Sequence, residues 1–372
     1  MEPKIRFKGF EEEWKEERLS EISSSIASGK NIDHKGPYPL YGSTGIIGTT
    51  DKPYHEGPML LVARVGANAG FLQLVNEKCG VSDNTLIVKP KDPVTDNYLF
   101  QYFKFFNLNR FIYGSGQPLI TGGMLKKMPV RYGLKEERET LIDYFTSLDS
   151  QISASTSRLA SLKQMKAASL QAMFPQEGEA VPKIRFKGFE GEWKKVKLGK
   201  LFSERIENNV DGEMLSVTMN NGIIKAAENG RFDNSNSDKS KYKVVKVGDI
   251  AYNSMRMWQG ASGCSQYEGI VSPAYTVVVP NANIHSLFFA YLFKTIPMIN
   301  LFRLHSQGLT KDTWNLKYPA FSIIEVSYPE SKAEQQAIAT YFTSLDRQIS
   351  LQSQRLEKLK QIKSACLDKM FV

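Results

Sequence analysis

A 40-residue stretch occurs twice in this chain, and it decides most of what the chain can become. Lys135–Phe174 recurs 197 residues later as Lys332–Phe371, with Tyr144-Phe-Thr-Ser-Leu-Asp149 repeated letter for letter from Tyr341 to Asp346. Internal repeats come first in any reading, because overlooking one misassigns the whole architecture. Beyond its first residue neither copy holds a Gly or Pro, so nothing in it breaks a helix. In the first copy Leu141, Phe145, Leu148, Ile152, Leu159, Leu162 and Met173 fall on a grid that steps alternately by four and three, with Ser155, Lys166 and Ser169 at the remaining positions. In the second, Ile338, Phe342, Leu345, Ile349, Leu356, Leu359 and Met370 fall on the same grid. That is the heptad stripe of a helix wrapping around a partner. Each helix should reach roughly 60 Å at ~1.5 Å per residue. Ser155 and Lys166 interrupt the first stripe where Gln352 and Lys363 interrupt the second. Polar residues there weaken the seam but fix its register.

A second repeat opens each half. Pro3-Lys-Ile-Arg-Phe-Lys-Gly-Phe-Glu-Glu-Glu-Trp14 returns at Pro182–Trp193 with eleven of twelve residues identical. The plan is tag, variable region, helix, twice over. The expected divisions are 1–133, a first domain; 134–174, its helix; 175–182, a linker; 183–330, a second domain; and 331–372, the second helix. Close ends around divergent middles imply one scaffold presenting two surfaces. The short linker places the second domain near the far end of the first helix, so the helices should run antiparallel with midpoints near Ser157 and Gln354. The fold class expected is α+β: two α/β domains with pseudo-two-fold symmetry, separated by two long antiparallel helices forming a coiled coil.

In the first variable region Met59–Ala63 and Asn84–Lys89 read as strands, and Tyr98–Phe111 as a helix whose aromatic run is core. Gly42–Gly45, Gly66–Gly70 and Gly114–Pro118 read as loops. In the second, Glu213–Thr218, Asp249–Tyr252 and Tyr275–Val279 read as strands, Leu287–Leu304 as one buried helix, and Ser306–Lys311 as a loop. Leu125-Lys126 with Pro129 and Leu316-Lys317 with Pro319 hint that the two regions are homologous.

The net charge is +9, with a pI near 9.2, which suits a polyanionic partner. Cys79, Cys264 and Cys366 are odd in number and far apart, indicating neither a disulfide framework nor a zinc site. The charged opening shows no signal peptide, and the chain is expected in the cytoplasm. Four histidines lack metal-ligand spacing, and no Walker A, His-Glu-x-x-His or Gly-x-Ser-x-Gly sequence occurs. The chain therefore reads as a binding or scaffolding module without catalysis of its own.

At Gly248–Gly260, Val271–Tyr275 and Ser306–Lys317, and at Tyr38–Gly48 and Gly114–Thr121, the sequence resembles the specificity subunits of type I restriction–modification systems. The helical repeats are similar to that family's central and distal conserved regions, although Glu137-Arg138-Glu139 departs from the Glu-Gln of Glu334-Gln335. The resemblance implies two target-recognition domains, each reading half of a split, asymmetric double-stranded DNA site, and a coiled coil that sets the unread gap. It also implies partners, two modification subunits and two restriction subunits, forming an adenine-N6 methyltransferase and site-specific endonuclease. S-adenosylmethionine, ATP and Mg are then expected on those partners and none on this chain. Off-stripe Met165, Ala168 and Leu170 suit docking of modification-subunit helices.

Readers of base edges need amide, hydroxyl or guanidinium groups on loops, while cations contact phosphates. In the first domain these are Tyr41, Ser43, Thr44, Arg64, Asn68, Gln117, Thr121 and Lys126. In the second they are Asn253, Ser254, Arg256, Trp258, Gln259, Gln307, Thr310, Lys311 and Lys317. The competing reading is a coiled-coil scaffold or adaptor whose two domains bind ligands other than DNA.

Overall fold

In the computed structural model, residues 2–30, 35–111, 118–229 and 238–372 are described. The chain forms two compact units. The first comprises Met1–Ser157 with Ser353–Val372, and the second is Arg158–Gln352. These cuts pass through both long helices instead of between helix and domain, so each unit owns part of each helix.

The first unit is built on an antiparallel sheet ordered Ser23–Ser28, Thr85–Pro90, Met59–Ala63, Leu72–Val75. The second repeats it as Phe202–Glu204, Tyr275–Pro280, Ile250–Asn253, Ser262–Cys264. The register is the same: Val62 faces Leu72 and Leu86, and 190 residues later Tyr252 faces Ser262 and Thr276. A second sheet (Gly45–Thr50, Tyr38–Gly42, Lys78–Val81, His55–Glu56) flanks the first unit. Two separate pairs, Leu215–Thr218 with Gly222–Lys225 and Lys243–Val245 with Gly269–Val271, flank the second. A further strand pair ties the start of each variable region to its end, Lys15–Arg18 on Pro129–Tyr132 and Lys194–Lys197 on Glu325–Tyr328.

Two helices differ from the sequence expectation. The first begins earlier, at Pro93 after the cap Asp92, and stops at Phe106 because Asn107 turns left-handed (φ 56°). The helix expected over Leu287–Leu304 is two, Ser286–Leu292 and Ile296–His305, bent by 82°. Pro297 explains the break, since its ring fits a first turn and disfavours a continuing helix. This bent pair has the length and apolar composition of a broken membrane span, but Phe288, Phe289, Phe293 and Phe302 bury it in the core. No single described helix is long and apolar enough to cross a membrane.

The long helices run Lys135–Ala172, the first arm, and Lys332–Met370, the second. Their stripe positions Leu141, Phe145, Leu148, Leu162, Met173, Ile338, Phe342, Leu345, Leu356 and Met370 are buried, and Ile152, Leu159, Ile349 and Leu359 are half-buried. In the first unit Tyr144 meets Cys366 (3.3 Å) and Lys363 donates to Asp149. In the second Ser169 meets Tyr341 (2.9 Å) and Lys166 donates to Asp346 at 2.5 Å. Numbers rise on one arm as they fall on the other, so the arms pair antiparallel within each unit. Lys166 and Lys363 do interrupt the stripe, and each finds a carboxylate across it. Each arm then ends inside a domain core. Phe371 stacks with Phe145 (5.6 Å) and Phe105 (5.8 Å) in the first unit. Phe174 stacks with Phe342 (5.8 Å) in the second.

The duplicated tag has one docking site per unit. Arg6 forks onto the Glu137 carboxylate at 2.6 and 2.8 Å, and Trp14 Nε1 donates to it at 3.0 Å. Arg185 forks onto Glu334 at 2.7 and 2.8 Å, with Trp193 Nε1 at 3.3 Å. The tag backbone also satisfies the end of the opposite arm: Ile5 N–H donates to Lys369 O, and Ile184 N–H to Ala172 O. Carbonyls at a helix C-terminus have no partner within the helix, so this contact closes an otherwise open end.

Candidate nucleic-acid interface

In the second unit the chain leaves the central strand at Asn253 and turns at once. The Asn253 side chain accepts from Met255 N–H (3.0 Å), shaping the turn. A single 3-10 turn, Met257–Gln259, follows and ends at Gly260 with φ 79°. A side chain at Gly260 would be strained, and its Cβ would press on Ile299 at 3.0 Å. Met257 is buried and anchors the loop, which leaves Arg256 and Gln259 exposed. Trp258 Nε1 bonds Met255 O (3.0 Å), and its ring meets Trp314 edge to face at 5.3 Å.

Trp314 belongs to a finger closed at its base by paired backbone bonds between Gln307 and Asn315. Thr310 and Thr313 close its tip, where Thr310 N–H donates to Thr313 Oγ1 at 3.1 Å. Gly308 is required (φ 149°), since a Cβ would lie 2.5 Å from Thr313 O. Leu316 N–H donates to Ser254 O at 2.8 Å, fastening the finger to the loop. Arg256, Gln259, Gln307, Thr310, Lys311 and Lys317 are therefore exposed on two loops joined around one tryptophan pair.

Ser254 is a correction to this set. It is buried and its hydroxyl bonds Thr276 Oγ1 at 2.8 Å, so it supports the loop from within and offers nothing to a ligand.

The first unit repeats the scheme with other residues. A 3-10 turn, Gly66–Asn68, exposes Asn68, and Gly70 closes it with φ 88°. Ile120 N–H donates to Arg64 O (2.8 Å), the counterpart of Leu316 on Ser254. This makes Ile120-Thr121 the structural match of Leu316-Lys317, and Leu125-Lys126 lies further on, at the end of the helix Gly122–Lys127. Ser43 and Thr44 form the two-residue turn of a hairpin, not an open loop. Ser43 Oγ and Arg64 N–H both donate to Asn84 O, at 3.3 and 2.9 Å, so hairpin and loop share one anchor. Arg64 is half-buried and its Nε has no partner among the described residues. Tyr41 bonds Glu77 at 2.6 Å, and burial, then that bond, pushes its hydroxyl up to about 12. Thr121 caps the helix Gly122–Lys127 through Met124 N–H (3.2 Å), with Lys126 exposed on that helix. Gln117 lies outside the described residues.

Sequence reading missed Asn84, and it missed Lys294, which donates to three backbone carbonyls in the second unit. A turn residue's carbonyl carries no signal in its letter, and Lys294 reads as an ordinary cation breaking an apolar run. Burial pushes the Cys79 and Cys264 thiols up to about 11, which leaves them protonated and unreactive. Among the described residues no group of three His, Cys, Asp or Glu could hold a metal ion. The arrangement offers amides, guanidinium and ammonium groups on preformed loops, which is recognition chemistry.

Comparison with known proteins bears on what these loops recognise. The family described as type I restriction modification DNA specificity domain matches residues 11–164 and again 190–361. A type I restriction enzyme EcoprrI specificity subunit from Escherichia coli is 26% identical over 159 residues. That match spans 40% of this chain and 40% of the relative's length. Among solved structures, the type I restriction–modification S subunit from M. genitalium superposes with a TM-score of 0.68 at 16% identity, covering 100% of this chain and 99% of the other. A chain from work on assembly and conformational transition of the type I R-M system gives 0.50 at 15% identity, over 97% and 98%.

Proposed function

Because the chain belongs to the type I restriction–modification DNA specificity family, we propose that it is the subunit that tells such a complex which DNA to act on. Each unit reads one half of a bipartite, asymmetric site. The observation that carries this reading is the pair of central sheets whose inner strands share one register and bear different loops, Gly66–Gly70 in one and Arg256–Gly260 in the other. Equal frames with unequal readers give two unlike half-sites. Lys126, Arg256, Lys311 and Lys317 supply cations for phosphates, while Asn68, Gln259, Gln307 and Thr310 present base-reading groups.

The chain performs no chemistry in this scheme. Two modification subunits holding S-adenosylmethionine methylate adenine N6, and two restriction subunits use ATP and Mg, all within the cytoplasm. The arms set the unread gap. Met165, exposed on the first arm, belongs to the face offered to modification subunits.

Co-expression with the modification subunit followed by genome-wide mapping of N6-methyladenine tests the proposal. The expected result is one motif with two specified halves around a fixed gap. A complex that methylates without such a motif, or a chain that binds no modification subunit, would refute it.

A further inference from the structure

Lys104 and Lys294 are structural counterparts. Each lies six residues after an aromatic ring, Tyr98 or Phe288, that packs against the tag tryptophan and the inserted arm-end phenylalanine. Their partners differ. Lys104 sits 3.7 Å from Asp149 and over the Phe100 ring at 3.9 Å. Beside it is a cavity of about 370 Å³ lined by Asn68, Gly70, Phe71, Asn107 and Asn109. Lys294 instead donates to Met219 O (3.0 Å), Ser262 O (2.9 Å) and Gly260 O. An ammonium has three donors, and here all three are occupied.

Two of those carbonyls lie where the Arg256–Gly260 loop runs into the strand Ser262–Cys264. The third belongs to another element, the tight turn between Leu215–Thr218 and Gly222–Lys225. A second contact holds the same two elements together. A Cβ on Gly263 would fall 2.7 Å from Gly222 Cα, so the backbones touch where only glycine fits. The turn is also preformed, because Thr218 Oγ1 accepts from Asn221 N–H (3.0 Å) and donates to Gly222 O (3.1 Å). Its tip exposes Asn220 and Asn221.

We propose that the Asn220-Asn221 turn is a second base-reading element of the second unit, with Lys294 the positioning residue that holds it in register with the Arg256–Gln259 loop. The inference rests on the reading of those loops as DNA-facing. Asparagine presents a donor and an acceptor that match adenine N6 and N7 in the major groove. Lys294 touches no DNA in this scheme.

The test uses the full chain reconstituted with its modification subunits, and methylation motifs as the readout. The half-site of residues 183–330 is first assigned by domain exchange. Asn220→Ala with Asn221→Ala should relax one or two base pairs of that half-site by about 5- to 150-fold each, and leave the other half-site intact. Lys294→Met should relax the same positions and those read by the adjacent loop, with Lys294→Arg closer to wild type. An unchanged motif in the exposed asparagine double variant would overturn the proposal whatever Lys294→Met does. Equal relaxation of both half-sites would overturn it too, as a general loss of stability. A wild-type complex without any bipartite motif would instead defeat the underlying reading, and this inference with it.

Discussion

Glu137 and Glu334 are each 1% exposed, yet each is ionically paired and bonded by a tryptophan N–H. Removing one partner of such a buried pair leaves an uncompensated charge and costs roughly 3–5 kcal/mol. Glu137→Ala should therefore lower stability by about that amount, and Glu137→Gln by less; calorimetric unfolding that registers under about 1 kcal/mol for the alanine variant would contradict it. Asp96 poses the opposite case. It sits in the first turn of a helix, where a negative charge is welcome by about 0.3–1 kcal/mol, but it is 3% exposed and its Oδ1 has no partner among the described residues. Burial wins: together with nearby Asp92 it pushes the carboxyl up to about 6 from 3.8. The folded protein thus holds this proton more tightly than the unfolded chain. Asp96 is without cost below about pH 4, and its cost grows as pH rises toward 6 and is complete above it. Asp96→Asn should stabilise the protein at pH 8 and not at pH 4, by on the order of 1–3 kcal/mol, as thermal melts at the two pH values would show. Neither effect was legible in the letters. Arg6, Trp14 and Glu137 stand out in the sequence as parts of repeats, but nothing there says that the tag docks on the helix.

The arms show how far periodicity can be trusted. The apolar stripe and its polar breaks are properties of spacing, and spacing survives folding unchanged, so the seam could be read directly. What Lys166 and Lys363 bond could not be, because Asp149 and Asp346 lie on the other arm and only antiparallel pairing brings them across. Burial alone would raise the Asp149 carboxyl, but hydrogen bonds from Lys363 and Gln101 hold it below the ordinary carboxylate range. Its contribution is present above about pH 4 and is lost as pH falls through its lowered value. A double-mutant cycle with Asp149→Asn and Lys363→Met should return a coupling of about 1 kcal/mol. Coupling indistinguishable from zero would remove Lys363 from any part in fixing register. Inserting one heptad into both arms should lengthen the unread gap in the methylated motif; an unaltered gap would end the spacer role. The loops lay at the other extreme. Glycines at 66, 70, 260 and 308 marked where turns occur, yet which side chains face outward depends on anchors such as Asn84 O and Met257, and those are settled only by packing.

At the scale of the whole molecule, exchange of residues 15–133 for the matching region of another family member should change one half-site of the methylated motif and leave the other; a change in both would refute independent readers. Each domain core is finished by an arm end, and for the first unit that end, Phe371, comes from beyond the whole of the second domain's sequence. Phe371 is 2% exposed among Tyr98, Phe105 and Phe145, so Phe371→Ala should destabilise the first unit by roughly 3–5 kcal/mol. A melt of that variant in which only the second unit weakens would contradict the assignment. The same threading has a consequence in time. The second unit is one continuous segment, Arg158–Gln352, whereas the first needs Ser353–Val372 to close. A ribosome adding ~5–20 residues per second takes on the order of 10–40 s to cross the intervening segment. Throughout that interval the earlier-made domain waits with Tyr98 and Phe145 uncovered, so the half translated first is the half completed last.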